Sequence, residues 1–392
     1  MNEVVIVSAV RTPIGAFQGS LSSIPATKLG AIVIKEAITR ANISPNEINE
    51  VIMGNVLTAG EGQAPARQAA LFAGLPESVE TMTINKVCGS GLKAVMLGTQ
   101  AILCGDAEII VAGGMESMSN VPYILENARN GLRMGHQQMT DAMIKDGLWD
   151  VYNNYHMGNA AELCAKECAV PREVQDEFAI RSYKLAIEAQ TKGYFRDEIV
   201  NVAIEQKGKD ALVISEDEEP KKARFDKIPT LKPAFQKDGT VTAANASKIN
   251  DGAAVVLIMS KAKAEKLGLK PLAKIIAYGS AAKKPEWFTT APADAIQKVL
   301  VKANLTKNDI DLFEINEAFA VVNLAVNKML GLDIEKTNVH GGAVALGHPI
   351  GASGCRILVT LLHAMKQHNA IRGMAGICIG GGEASSMIVE AF

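Results

Sequence analysis

The segment IKEAITRANISPNEI at residues 34–48 returns as IQKVLVKANLTKNDI at residues 296–310, aligned without a gap. Each copy is an amphipathic helical run with an Ala-Asn exit, at Ala41-Asn42 and at Ala303-Asn304. A Ser/Thr-x-x-Glu/Asp pattern follows, from Ser44 to Glu47 and from Thr306 to Asp309, the form of a capping box at a new helix start. Short apolar segments come next, Val51-Ile52-Met53 and Leu312-Phe313-Glu314-Ile315. The chain therefore contains one structural unit twice.

The correspondence continues downstream. Cys88-Gly89-Ser90-Gly91 leads into a helix with Leu92, Val95, Met96, Thr99, Ile102 and Leu103 on one face. Gly351-Ala352-Ser353-Gly354 leads into Ile357, Leu358, Leu361, Leu362 and Met365 in the same way. After each helix comes a strand-like run ending in glycines, Ile109 to Gly114 and Met374 to Gly382. Strand and helix alternate, which predicts an α/β fold of two similar halves packed face to face. The pattern is lost between about 119 and 250, where one helix is expected around Arg172 to Gln190. So long an insertion is more often a lid or binding region than idle loop. The boundaries expected are 1–118 for the first half, 119–250 for the insertion and 271–392 for the second half. The strand-like stretch within about 251–270 returns to the first half.

Composition excludes several classes. The chain has 392 residues, 48% of them hydrophobic, which supports a large core. A net charge of −2 without long basic runs gives no sign of nucleic-acid binding. The one short charge run, Glu216 to Glu219 followed by Lys221-Lys222, reads as a solvated loop. No apolar stretch reaches the roughly 20 residues that a spanning helix needs, so no membrane partner is expected. Met1 to Val7 enters a strand-like run and lacks the layout of a secretory signal, so a cytoplasmic protein is expected, unless an organelle presequence has been removed. Six cysteines are scattered without a disulfide framework or zinc spacing, so Cys164 and Cys168 read as core packing.

Cys88 follows the strand-like Thr81 to Val87 and precedes a helix. A thiol there feels the positive end of the helix dipole, which favours the thiolate. A free cysteine is nevertheless more often a small buried apolar side chain. His348 lies in an Ala/Gly-rich turn at the repeat's equivalent corner, where pseudo-twofold packing would bring it to Cys88 as a base. Cys378 ends a strand at Cys378-Ile379-Gly380-Gly381-Gly382. Asn316 ends the repeat strand and either holds a water or oxyanion or caps the following turn.

Together Val87-Cys88-Gly89-Ser90-Gly91, Asn316-Glu317-Ala318-Phe319-Ala320, Gly347-His348-Pro349 and Cys378 to Gly382 resemble the thiolase family, in its order and spacing. The likeness extends from Ser8-Ala9-Val10-Arg11-Thr12-Pro13 to the C-terminus. It implies two βαβαβαββ halves in a five-layered αβαβα arrangement with an inserted loop domain, and a homotetramer of tight dimers. It implies reversible condensation of two acetyl-CoA to acetoacetyl-CoA and CoA through an acetyl-Cys88 thioester. His348 would activate Cys88, and Cys378 would deprotonate the second acetyl-CoA. His348 and a water on Asn316 would hold the enolate oxygen, and the N–H groups of Cys88 and Gly380 the other oxyanion.

The same resemblance places CoA against His156 and Met157 (in Tyr155-His156-Met157-Gly158), Ser247, Ala318, Phe319 and Lys222. The chain departs from the family at Glu219-Pro220-Lys221-Lys222, where an arginine commonly follows the proline; lysine lacks its bidentate fork. CoA thioesters are substrates, and no further cofactor is required. A potassium site is implied at Tyr183, Ala243, Ala244, Ala246 and Val344, and a role for Phe288 beside the acyl group. Tyr183 and Phe288 are equally readable as packing rings. His340 and Glu383 depart from many members without an implied role. Three rivals remain. A degradative 3-ketoacyl-CoA thiolase for longer chains shares every catalytic residue. A ketoacyl synthase would carry a second histidine where Cys378 stands, and a non-enzymatic binding protein would not need all four residues.

Overall fold

The computed structural model describes residues 3–392, so Met1 and Asn2, at the head of the expected first strand, lie outside the described residues. That strand runs Val4–Arg11. It borders Asn250–Ser260, followed by Ile109–Ser117, Glu50–Gly54 and the edge strand Glu80–Ile84. On its other side Val5 and Ile6 pair with Lys274 and Ala273. Through them the sheet continues into Ala273–Ala282, Glu383–Ala391, Arg372–Ile379 and Leu312–Ile315. The two sides carry one pattern. Glu50–Gly54 runs parallel to Ile109–Ser117 as Leu312–Ile315 runs parallel to Arg372–Ile379, and the strands beyond are antiparallel. Asn250–Ser260, beyond the insertion, lies between two strands of the first half.

Three large buried clusters pack the five layers, the middle one filling both sides of the central helices. Ala26–Ala41 and Pro65–Phe72 cover the first sheet through Leu29, Val33 and Ala69. Ser90–Cys104 and Ile350–His368 fill the middle, with Leu92, Met96, Ile357 and Leu361 between the sheets. Ala291–Ala303 and Ala320–Leu330 cover the second sheet through Ile296, Val299 and Val322. Each fully buried aliphatic side chain contributes about 1.5–3 kcal/mol relative to exposure. The stretch Val87–Cys104 is apolar and long enough to cross a bilayer, but here it is the core of the middle layer.

The glycines of the repeat show why the middle layer closes. A Cβ on Gly91 would meet the Cys355 nitrogen at 2.7 Å, and one on Gly354 the Leu92 nitrogen at 2.5 Å. The two central helices thus cross with backbones nearly touching, each giving way at the same repeat position. That crossing sets the Cys88 and His348 corners side by side.

Several details differ from the expectations. The second half keeps only a single bridge, Phe313 with Thr337, where the first half has Glu80–Ile84. Ser44 and Thr306 start single 3₁₀ turns, Pro45–Glu47 and Lys307–Asp309, and the full capping box forms at Thr306 with Asp309. Leu103 is 46% exposed and not on the buried face. The insertion holds a second helix, Met157–Glu167, besides Arg172–Lys192. The charge run is solvated only in part: Glu216, Lys221 and Lys222 are exposed, but its middle is not. Asp217 is buried and takes two hydrogen bonds from buried Arg11, which also pairs with Glu198 at 2.5 Å.

Candidate active site

The Cys88 corner is built by hydrogen bonds around a strained residue. Val87 sits at φ 45°, a left-handed conformation that a β-branched side chain rarely adopts. Asn85 Oδ1 accepts from its N–H at 2.9 Å, and its carbonyl accepts from the Ser90 hydroxyl at 2.7 Å. The turn hands Cys88 into Ser90–Cys104, whose first turn follows Gly89. A Cβ on Gly89 would meet the end of the Ile379 side chain at 2.3 Å, so a larger residue there would have to displace it.

The expected thiolate does not follow. Burial pushes the Cys88 thiol up to about 11, with Glu116 adding to the rise, against hydrogen bonds from the N–H groups of Gly380 and Cys88. Desolvation outweighs the helix dipole, and Cys88 needs a base. His348 lines the same cavity as Cys88, and its imidazole has the chemistry of one. Its backbone N–H donates to Asn250 Oδ1 at 3.0 Å, and Gly347 before it is at φ 109°, where a Cβ would strike Asn250. The Nδ1 to Ser353 Oγ distance is 2.6 Å, and the Ser353 hydroxyl donates to Pro349 O at 2.8 Å. One hydroxyl carries one hydrogen, so Ser353 accepts from Nδ1–H and Nε2 is left with its lone pair. Burial, with Arg356, pushes His348 down to about 3, so the ring is neutral at physiological pH.

Asn316 Nδ2 stands 3.5 Å from His348 Nε2, while Asn316 Oδ1 is buried without a partner among the described residues, a place that a water donating an O–H would satisfy. Asn316 follows a strand end pinned by Asn338, which bonds both Ile315 and Glu317. Cys378 is fully buried at the end of Arg372–Ile379. Burial raises its thiol well above the ordinary value, the Cys88 sulfur adds to the rise, and the Ala318 N–H opposes it.

A cavity of about 270 Å³ opens onto this corner. Cys88, His348 and Gly380 lie on its wall with His156, Met157, Ser247, Ala318, Phe319 and Phe288. Phe288 and Phe319, both on this wall, meet edge to face at 6.3 Å. His156 accepts from the Gly158 N–H at 3.1 Å, starting Met157–Glu167, and stacks on Phe235 at 4.8 Å. Lys222 is not on this wall; it is exposed and paired with Glu218 at 2.9 Å. Among the residues expected around potassium, Tyr183 and Val344 are buried, and Ala246 borders the cavity. The carbonyls of Ala246 and Val344 accept from Lys248 Nζ. The sequence reading missed Ser353, Asn250, Phe235 and Lys248. Only Ser353 left a signal, its place at the repeat position of Ser90.

The thiolase N-terminal domain family matches residues 4–262 and the thiolase C-terminal domain family residues 269–391. The acetyl-CoA acetyltransferase of Cupriavidus necator is 57% identical, with all of both chains covered. The mitochondrial acetyl-CoA acetyltransferase of Rattus norvegicus is 55% identical, covering 100% of this chain and 91% of its own. Among solved structures, the acetyl-CoA acetyltransferase of Bacillus anthracis superposes with a TM-score of 0.98 at 44% identity, covering 100% of this chain and 99% of that one. The Acat5 thiolase of Ascaris suum in complex with coenzyme A gives 0.94 at 46% identity, with both chains covered in full.

Proposed function

The chain belongs to the thiolase family, and from that premise we propose that its pocket joins two acetyl-CoA molecules into acetoacetyl-CoA and CoA, reversibly, through acetyl-Cys88. The observation that carries the reading is one cavity that brings Cys88, His348 and Gly380 together, with His348 Nδ1 held by Ser353 so that Nε2 is left to take a proton. Nε2 takes the Cys88 proton as the sulfur attacks the first thioester carbonyl. The departing CoA thiolate takes the Cys378 proton, which leaves acetyl-Cys88, imidazolium and the Cys378 thiolate. That thiolate removes a proton from the methyl of the second acetyl-CoA. The enolate oxygen is met by Nε2–H and by a water on Asn316. The enolate carbon attacks the acetyl carbonyl, whose oxygen faces the N–H groups of Cys88 and Gly380. Acetoacetyl-CoA forms, and imidazolium returns its proton to the Cys88 sulfur.

The two packed rings of Phe288 and Phe319 on the wall of a cavity of about 270 Å³ support short acyl groups over the longer ketoacyl chains of a degradative enzyme. Thiolysis of acetoacetyl-CoA, 3-ketohexanoyl-CoA and 3-ketodecanoyl-CoA tests this. Fast cleavage of the four-carbon substrate alone is expected, and faster turnover of the longest would move the assignment to the degradative class. Assembly as a homotetramer extends the reading. It is supported by the open edge at Glu80–Ile84, with Met82 exposed, and by Leu132, Met134 and Met139, exposed within eight residues of one another. A cytoplasmic location extends it also, and fractionation of the native cell tests that.

A further inference from the structure

Lys248 is an unusual lysine for a pocket wall. The half-buried residue lines the cavity, while its ammonium hydrogen-bonds within the protein. Nζ donates to the carbonyl of Ala246 at 2.9 Å and to that of Val344 at 3.3 Å. It stands 5.5 Å from the centroid of the Tyr183 ring, whose face attracts a cation. Among the described residues no carboxylate forms an ion pair with it; Glu219 and Glu317 favour its charge from farther away. Burial lowers its pKa to about 8 against the pull of those two acids. Two carbonyl dipoles, a ring face and the field of two acids thus converge on one positive charge, a set that suits a weakly hydrated monocation.

The two segments that meet there both lead to the reacting centre. Ala246 bridges to Phe319, and the Ser247 N–H donates to Ala318 O at 3.0 Å. Val344 lies in the short helix Ala343–Leu346, which hands the chain on to Gly347 and His348. The His348 N–H donates to the Lys248 carbonyl at 3.2 Å, so the residue touches the base's own backbone as well. We infer that Lys248 is a built-in monovalent cation and a positioning residue, its ammonium standing where a potassium ion would bind and holding the Ser247 wall in register with the His348 corner.

This inference rests on the acyl-transfer reading of the pocket, and the two are tested apart. Acetoacetyl-CoA thiolysis is measured in KCl, NaCl and NH₄Cl at equal ionic strength for the wild type, Lys248→Ala and Lys248→Met, with a melting temperature in each salt. The wild type is expected to be equally active in all three salts. Lys248→Ala should lose about tenfold in kcat/KM in NaCl, the scale of losing a group that supports catalytic ligands. It should recover, in rate and melting temperature, in KCl or NH₄Cl. Lys248→Met fills the space without the charge and should not recover. A wild type several-fold faster in KCl than in NaCl overturns the inference. So does full activity of Lys248→Ala in NaCl, or a loss identical in all three salts. A wild type inactive in every salt would sink the acyl-transfer reading instead, and the salt dependence of the Lys248→Ala melting temperature would still judge Lys248.

Discussion

At the scale of single residues, the site depends on burial more than on helix dipoles. A neutral ring with its pKa at about 3 keeps its lone pair far below the ordinary imidazole range. The pH profile of kcat/KM should therefore show no acid limb near pH 6.5 between pH 8 and 5; a limb there would mean that His348 titrates normally. Cys88, raised to about 11, should react slowly with iodoacetamide at pH 7 and faster with each step up to pH 10. Ser353→Ala removes the acceptor that fixes the tautomer, and should lower kcat by about ten- to a hundredfold with little change in KM. Cys88, His348, Asn316 and Cys378 were legible in the sequence because motif and repeat coincide on them. Ser353 and Asn250 were not, because their role exists only where two distant segments meet.

At the scale of elements, the decisive contact is the crossing of Ser90–Cys104 with Ile350–His368. The sequence announced it through glycines at matching repeat positions, but not their purpose, which is backbone approach. Gly91→Ala and Gly354→Ala each push the same crossing apart. Each should cost about 1–3 kcal/mol of stability, the usual cost of overpacking a core. Activity should fall further than stability, because the crossing aligns Cys88 with His348. Thermal melting beside kcat/KM checks this; unchanged activity in a destabilised variant would show that the crossing does not set the geometry. The third strand of the second half was not foreseeable as a single bridge, since its pairing is decided by packing and not by local pattern. Met157–Glu167 was missed because its start is capped by His156, outside the usual Ser, Thr, Asp and Asn.

At the scale of the whole molecule, Arg11 joins the first half to the insertion. Its guanidinium, fully buried, binds Glu198 and Asp217, and Glu198 also accepts from Thr360 of the second central helix. Arg11→Ala leaves buried carboxylates without their partner, and should cost about 3–5 kcal/mol by chemical denaturation. A cost below about 1 kcal/mol, the scale of a surface pair, would contradict that. The two-halves architecture was legible because the repeat is long and gapless. The buried acid at Asp217 was not, because a charge run reads as solvent-facing until its partner, 206 positions away, is seen.

The most direct test of the account is the covalent intermediate. The protein is mixed with acetyl-CoA, quenched in acid and digested, and the Cys88 peptide is weighed. One acetyl group is predicted on Cys88 in the wild type and in Cys378→Ala, which should acetylate yet form no acetoacetyl-CoA, and none in Cys88→Ala. An acetyl group found on Cys378 instead, or an unmodified Cys88 in an enzyme that still makes acetoacetyl-CoA, would contradict it.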